Sequence, residues 1–399
     1  MDTENFTDFV INVIKNKKND NPILIEEIYR STENFAKMME IDFEVHRKNL
    51  LTHGVSNHSK ITKDRVCDIP YIVDSIVDAV QDIDIDSIKK QIEILNSTPQ
   101  PEQRTPAWYE YRQNVITASS ASHILESEST YNRYVEDKVR PEKHFSAGTA
   151  CQFGIKFEDV ACSIYQKLTK TKVNEYGCIR HANIVHLGAS PDGIVVEANG
   201  DEKYLGRMLE IKCLYSREMH GVPLYKYWVQ CQIQLETCNL AYCDFFECKL
   251  NDNLTEQDFY IKLKTNSMKE FFGVIIEYTR DCSILYKYSE LNKNESYYRD
   301  FVESNIESIL EDPKQDIIKI TYFELNKYSL VTIKRSHEWF ASIKPKFAEF
   351  WKEVEQKREI LKYYPDDVEK IFPKKTRNKK EVTEICMVQN EDDAEDEFW

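Results

Sequence analysis

No apolar run of the roughly 18 residues that a membrane span needs occurs in this chain, so no span is expected. The N-terminal stretch MDTENFTDFVINVIKNKKND opens on acidic residues and lacks the apolar centre of a signal peptide. The expectation is an intracellular protein. No Cys-x-x-Cys pair occurs among the eleven cysteines, and their number is odd, so reduced thiols are expected rather than a disulfide or zinc framework. Cys238, Cys243 and Cys248 recur every five residues, without the tight pair that a cysteine-held iron–sulfur cluster near a C-terminus uses. Nor is any internal repeat visible.

Positive charge is also short. The 399 residues carry 53 Lys and Arg against 68 Asp and Glu, a formal net charge of −15, which weakly opposes nucleic-acid binding. The deficit sits at the ends: residues 381–399 carry eight acids and no bases, and the first hundred residues are also acidic. The stretch between is close to neutral, and divalent cations can offset an acidic site within it.

The length predicts more than one domain. Residues 1–100 read as a helical N-terminal region, with apolar spacing of three to four in Phe6-Phe9-Val10-Val13-Ile14 and Ile72-Ile76-Val77-Val80. The polar stretch STPQPEQRTP at 97–106 reads as a linker. A core over 101–290 alternates helix and strand signals. Helical patterns fall at 108–125, 154–168 and 224–238, and strand patterns at 172–180, 194–197, 208–214, 241–249 and 274–288. A mixed sheet flanked by helices follows, an α/β (α+β) class. Residues 291–372 read as a mainly helical α/β extension, with a long helical pattern at 336–362. The basic PKKTRNKK (373–380) and the acidic stretch to 399 read as a disordered tail.

The chemistry concentrates in HLGASPDGIVVEANGDEKYLGRMLEIKC, residues 186–213. Asp192 stands in a Pro-Asp-Gly turn. Glu210 and Lys212 are two apart on an apolar strand, so both point to one face while Leu209, Ile211 and Cys213 point to the other. Charges on an otherwise buried strand are costly unless paired or bound to metal. Two carboxylates suit a hard cation such as Mg²⁺, which activates water and neutralises a phosphate. The lysine can orient or deprotonate that water and offset developing negative charge. Alone, a carboxylate-x-lysine is common by chance and reads rather as a surface salt bridge near a turn.

Three further blocks change that reading. Upstream, Gly154-x-x-Phe157-Glu158-x-x-Ala161 puts Glu158 on a helix as a third carboxylate, although by itself it reads as a solvated helix residue. Downstream, Tyr227, Gln230 and Gln234 share a helix face by their spacing. Ahead of both, Trp108-x₃-Arg112-x₄-Thr117-Ala-Ser119 sets a guanidinium, which can grip phosphate through two donors, near hydroxyls.

In this order, W-x₃-R-x₄-T-A-S, G-x₂-[FY]-E-x₂-A, S-P-D-G, L-E-[IL]-K-C and Y-x₂-Q, the blocks resemble the lambda-exonuclease and YqaJ-type viral recombinase family of PD-(D/E)xK nucleases. That family includes the alkaline exonucleases of large DNA viruses. The resemblance covers about residues 104–250. It implies that Asp192 and Glu210 ligate Mg²⁺ (or Mn²⁺) with the backbone carbonyl of Ile211, that Glu158 binds a second ion or positions water, and that Lys212 is the catalytic lysine. It implies a terminal 5′-phosphate pocket formed by Arg112, Ser119, Ser190 and Gln230, with Thr117 and Tyr227 as lesser members. The activity implied is 5′→3′ digestion of one strand of linear duplex DNA, leaving 3′ tails for recombination or repair. The implied partners are double-stranded DNA, a single-strand annealing protein and two further copies in a ring-shaped trimer. The implied place is the host cytoplasm, in a viral factory, or the nucleus, or the virion.

The chain departs from the pattern at Gln113-Asn114, where the family often has glycine. Residues 1–100 and those beyond 255 have no counterpart in the small phage enzyme, which puts the trimer in doubt. Two other readings stay open: a structure-specific endonuclease on the same fold, and an inactive DNA-binding subunit.

Overall fold

The computed structural model describes residues 84–140, 148–219, 221–281, 283–365 and 368–372. The helical patterns expected before residue 84 and the tail expected from 373 lie outside the described residues. α1 (Ile85–Ser97) is opened by Asp84, whose side chain accepts from the Ser87 amide at 3.0 Å. α2 (Pro106–Gln113) starts with Pro106, whose missing amide hydrogen is no loss in a first turn, behind the capping hydroxyl of Thr105.

The expected linker between them carries no helix or strand, but it is held to the domain. Pro101 accepts from the Cys178 amide at 3.3 Å, the Gln100 side chain accepts from Gly177 at 2.7 Å, and a Cβ on Gly177 would stand 1.9 Å from the Pro101 carbonyl oxygen. Only glycine lets the two backbones approach so closely. The segment is therefore fastened along the domain's surface.

The expected helix over 108–125 is broken into three. Val115, Ile116 and Thr117 are buried, and Ile116–Thr117 form the strand β1, followed by a 3-10 helix over Ala118–Ile124. Branched side chains favour extended backbone, and a pairing partner is at hand. α3 (Glu128–Val139), α4 (Thr149–Thr169), β2 (Thr171–Asn174), β3 (Ile179–Arg180) and β4 (Leu187–Ala189) follow. β1 and β3 flank β4 in a three-stranded sheet, β1 parallel to it and β3 antiparallel. The strand pattern at 172–180 thus divides into β2 and β3, which join different sheets.

The main sheet has seven strands. Its further members are β5 (Gly193–Ala198), β6 (Met208–Cys213), β7 (Tyr242–Leu254), β8 (Phe272–Arg280), β9 (Ser283–Tyr288) and β10 (Gln315–Lys334), with α5 (Tyr225–Cys238) between β6 and β7. The order is β2-β5-β6-β7-β10-β8-β9, and β6–β7 is its parallel pair. The strand pattern at 274–288 is a hairpin, turned at Asp281 in a left-handed conformation (φ 49°). β10 comes from beyond the expected boundary at 290, yet lies between β7 and β8. The sheet, not the sequence gap, decides that grouping.

Both faces of the main sheet are covered. Leu209, Ile211, Phe246 and Cys248 pack with Phe157, Ile164 and Tyr165 of α4. Met208, Cys243 and Phe245 pack with Cys231, Leu235 and Cys238 of α5 on the opposite face. Cys238, Cys243 and Cys248 are therefore core side chains with free thiols. α6 (Glu256–Lys264) and α7 (Glu295–Leu310) cover the end of the sheet near β8 and β10.

The long C-terminal helix α8 (His337–Tyr363) buries Phe340, Ile343, Phe347, Phe350 and Trp351 against α3 and the 3-10 helix. Arg358 donates to the carbonyls of Gln113 (2.8 Å) and Lys138 (2.6 Å), closing the C-terminal ends of α2 and α3 together. The buried Lys138 amine donates in turn to the Arg112 carbonyl at 2.8 Å. Burial, with Arg112 and Arg358 adding repulsion, lowers that amine from its usual 10.5 to about 7. Between those values the unfolded chain binds the proton and the folded one does not, so this group adds stability as pH rises through the window. Lys138→Met removes the titration. Its gain in urea midpoint over the parent should be largest near about pH 6.5 and shrink by about pH 9.5. An equal gain at both would show that Lys138 is not strained by its burial.

Candidate active site

β6 supplies the centre. Its alternation turns Glu210 and Lys212 to the α5 face, and Lys212 Nζ stands 2.8 Å from Glu210 Oε1. Glu210 is 1% exposed, so each of its oxygens needs a donor. α5 provides them: Gln230 donates to Oε1 at 2.7 Å and Gln234 to Oε2 at 2.6 Å. Both are one turn apart on the same helix face. Lys212 also stands 4.9 Å from the centre of the Tyr227 ring.

Asp192 enters from the turn before β5. Its Oδ2 accepts from the Ile211 amide at 2.7 Å, which ties the turn to β6 beyond the point where β5 and β6 pair. Burial, then Glu210 and Glu158, raise the Asp192 carboxyl well above its usual range. Glu158 on α4 is raised chiefly by burial, against the opposing pull of Arg104, whose Nη2 bonds its Oε2 at 2.6 Å. For Lys212, burial alone lowers the amine, but Glu210, Tyr227 and Asp192 outweigh it and the net shift is upward.

The same cavity, of about 180 Å³, is lined by the second group of expected residues. The Arg112 guanidinium lies 4.1 Å over the Trp108 ring and donates to Ser119 Oγ at 3.1 Å. Trp108 Nε1 donates to Ser190 Oγ at 3.0 Å, so one indole carries both the arginine and the serine beside Asp192. Arg112, Ser119, Ser190, Asp192, Glu158, Glu210, Ile211, Lys212, Tyr227 and Gln230 all line the cavity. Thr117 does not. It is buried in β1, with its amide directed to the Tyr134 hydroxyl at 3.3 Å. Gln230 reaches the cavity, but its side-chain nitrogen is engaged by Glu210.

The structure adds three residues that the sequence reading left out of the site. Gln234 is fully buried on Glu210, and its own side-chain oxygen has no partner. Its spacing from Gln230 was the available signal. Arg104 and Arg217 also line the cavity, each held by a carboxylate: Arg104 by Glu158, and Arg217 by the buried Glu247 of β7 at 2.5 Å. Neither position stands out in the sequence, because the carboxylates that hold them come from distant segments.

Asp192, Glu210 and Glu158 raise an excess of hard oxygen donors in one cavity, which suits a hard divalent cation. Among the described residues, however, no three His, Cys, Asp or Glu side chains are grouped closely enough to hold an ion. Glu158 is turned to Arg104. Asp192 and Glu210, with Ile211 on the same cavity, are the expected donors that could hold a hard divalent cation keeping several waters.

Against known proteins, residues 107–241 match the YqaJ-like viral recombinase domain. An uncharacterized protein of Acanthamoeba polyphaga mimivirus is 29% identical over 182 residues, covering 42% of this chain and 33% of the relative, so the match spans about a third of that relative's length. Among solved structures, an alkaline exonuclease from Laribacter hongkongensis is 20% identical, covers 66% of this chain and 100% of its own, and has a TM-score of 0.41. A phage related exonuclease from Haemophilus somnus is 12% identical, covers 61% and 94%, and has a TM-score of 0.35. No helix among the described residues is long and apolar enough to cross a membrane. The Trp108, Glu158, Asp192, Glu210 and Gln230 blocks that gather on one cavity all fall within residues 107–241, the third of the chain that is similar to the YqaJ-like viral recombinase domain.

Proposed function

We propose that this protein is a magnesium-dependent exonuclease that digests one strand of linear duplex DNA from its 5′ end, leaving 3′ tails for an annealing protein. One observation carries the reading: a single cavity contains both the Asp192–Glu210–Lys212 group and the Arg112–Ser119–Ser190 group. The first suits a reacting phosphodiester. The second suits a terminal phosphate, because a guanidinium and two hydroxyls offer donors to a dianion. An endonuclease has no need of the second.

Asp192 and Glu210 would hold a divalent cation, which would supply an activated water and offset charge on the scissile phosphate. The protein's own residues do the rest. The amides of Gln230 and Gln234 hold Glu210 in one rotamer, and the Ile211 amide does the same for Asp192. Lys212, fixed beside Glu210, places a positive charge where negative charge develops on the phosphate oxygens. Arg112 holds the strand end, and its position on Trp108 sets how far the strand enters. Arg104 engages Oε2 of Glu158, so a second-ion or water-positioning role would fall to Oε1.

The test uses linear duplexes labelled at the 5′ or the 3′ end, with Mg²⁺ or EDTA. The expected result is early Mg²⁺-dependent release of the 5′ label as mononucleotide. Internal fragments, or equal cutting of closed circles, would overturn the exonuclease reading. Asp192→Asn and Glu210→Gln should each abolish release while the folded protein still binds DNA, and retained cleavage by either removes it from the centre. Arg112→Ala should bring rates on 5′-phosphate and 5′-hydroxyl ends together; a surviving preference means that the pocket lies elsewhere. Gln234→Met keeps the bulk but removes one donor from Glu210, and should lower kcat by about 10–100-fold. An unchanged kcat would make the Gln234 contact incidental.

A further inference from the structure

Arg104 lies in the segment between α1 and α2 and adopts φ 64°, a left-handed conformation that side-chain-bearing residues seldom take. Its surroundings hold it there. Gln103 donates to the carbonyls of Tyr176 (2.8 Å) and Pro191 (3.1 Å), the latter immediately before Asp192. With the Pro101 and Gln100 contacts to Cys178 and Gly177, the segment is bonded both to the chain before β3 and to the Asp192 turn. The result is a guanidinium brought into the cavity of Asp192, Glu210 and Lys212.

That guanidinium uses one nitrogen, Nη2, on Glu158, and its side chain remains 41% exposed. Five N–H donors are available on an arginine, so most of the fork is open to a second acceptor. A plain charge-neutralising role for Glu158 explains the ion pair, but not the strained and fastened backbone that aims it, since a half-exposed ion pair contributes little stability. What enters this cavity as substrate is a polyanion approaching three carboxylates. Lys212 is engaged by Glu210, and Arg112 by the terminal-phosphate pocket. A backbone phosphate beside the carboxylates needs a further cation, and Arg104 is one that lines the cavity with donors to give.

We propose that Arg104 is a substrate-binding residue: anchored by Glu158, it donates the rest of its guanidinium to a non-bridging oxygen of a DNA backbone phosphate lying beside the Asp192–Glu210 pair. The proposal rests on the exonuclease reading above. Arg104 adds a phosphate contact from a segment that precedes the matched family domain.

The experiment is equilibrium binding of a 5′-phosphorylated duplex to the full chain in EDTA, followed by fluorescence anisotropy over a range of salt concentrations, so no turnover enters. Arg104→Gln should weaken binding by about tenfold and reduce the slope of log K against log[salt] by about one, the signature of one lost phosphate contact. Arg104→Lys, which keeps the charge, should restore the slope even where affinity stays lower. Glu158→Gln frees the anchor but keeps the cation, and should leave the slope at the parent value. If Arg104→Gln binds within twofold of the parent with the parent's slope, Arg104 only neutralises Glu158 and the proposal falls while the exonuclease reading stands. If the parent protein itself binds no DNA, that reading fails and this one with it.

Discussion

A carboxylate buried to 1% exposure on a central strand constrains everything around it. An ionised Glu210 without partners is prohibitively costly in the interior, so its two oxygens dictate what must be packed over β6. The answer is α5, and its position has a second cause. β6 and β7 are parallel neighbours, and a parallel pair requires a crossover that leaves one strand end and returns to the start of the next. α5 is that crossover. One element thus closes the sheet and delivers Gln230 and Gln234 to Glu210, which makes the site's geometry a consequence of the topology.

The opposite face of β7 shows the same rule applied for structure. Asp244 is fully buried and accepts from Tyr165 of α4, from Arg207 and from Thr332 of β10, at 2.7–2.8 Å. Its three donors come from a helix, a loop and a strand far apart in sequence, so the carboxylate fixes α4 against both β7 and β10. α4 carries Glu158. The site's third carboxylate is therefore placed through an Asp that never meets the cavity.

What was legible in the sequence depended on how local its cause was. A period of two put Glu210 and Lys212 on one face, and a period near four put Gln230 and Gln234 together; both hold in the structure because each concerns a single element. The order of the motif blocks carried the YqaJ-type resemblance, and residues 107–241 match that domain. The misses share a long-range cause. Val115-Ile116-Thr117 leaves the helix because β4 is there to pair with it, and Pro101 meets Gly177 across 76 positions. β10 hides because its burial is concentrated at Thr321–Leu325, while Lys, Asn and Asp along the rest are exposed, so neither a clean alternation nor a continuous apolar run announces it.

Net charge misleads here for a related reason. A chain at −15 looks unsuited to a polyanion, yet several of its acids work by holding arginines in place rather than by facing solvent. Glu158 holds Arg104 and Glu247 holds Arg217, both at the cavity, while Glu236 holds Arg335 at 2.7 Å where β10 meets α8. Each such pair is neutral in a sum over the sequence. At the cavity, the Glu158–Arg104 and Glu247–Arg217 pairs are dipoles in space: the carboxylate is the more buried end and the guanidinium is turned toward the site. Under the proposed function, a phosphate entering the cavity would meet the more exposed Arg104 and Arg217 ahead of the buried Glu210. The field that matters to the substrate is set by which end of each pair is buried, and no count of charges along the chain contains that information.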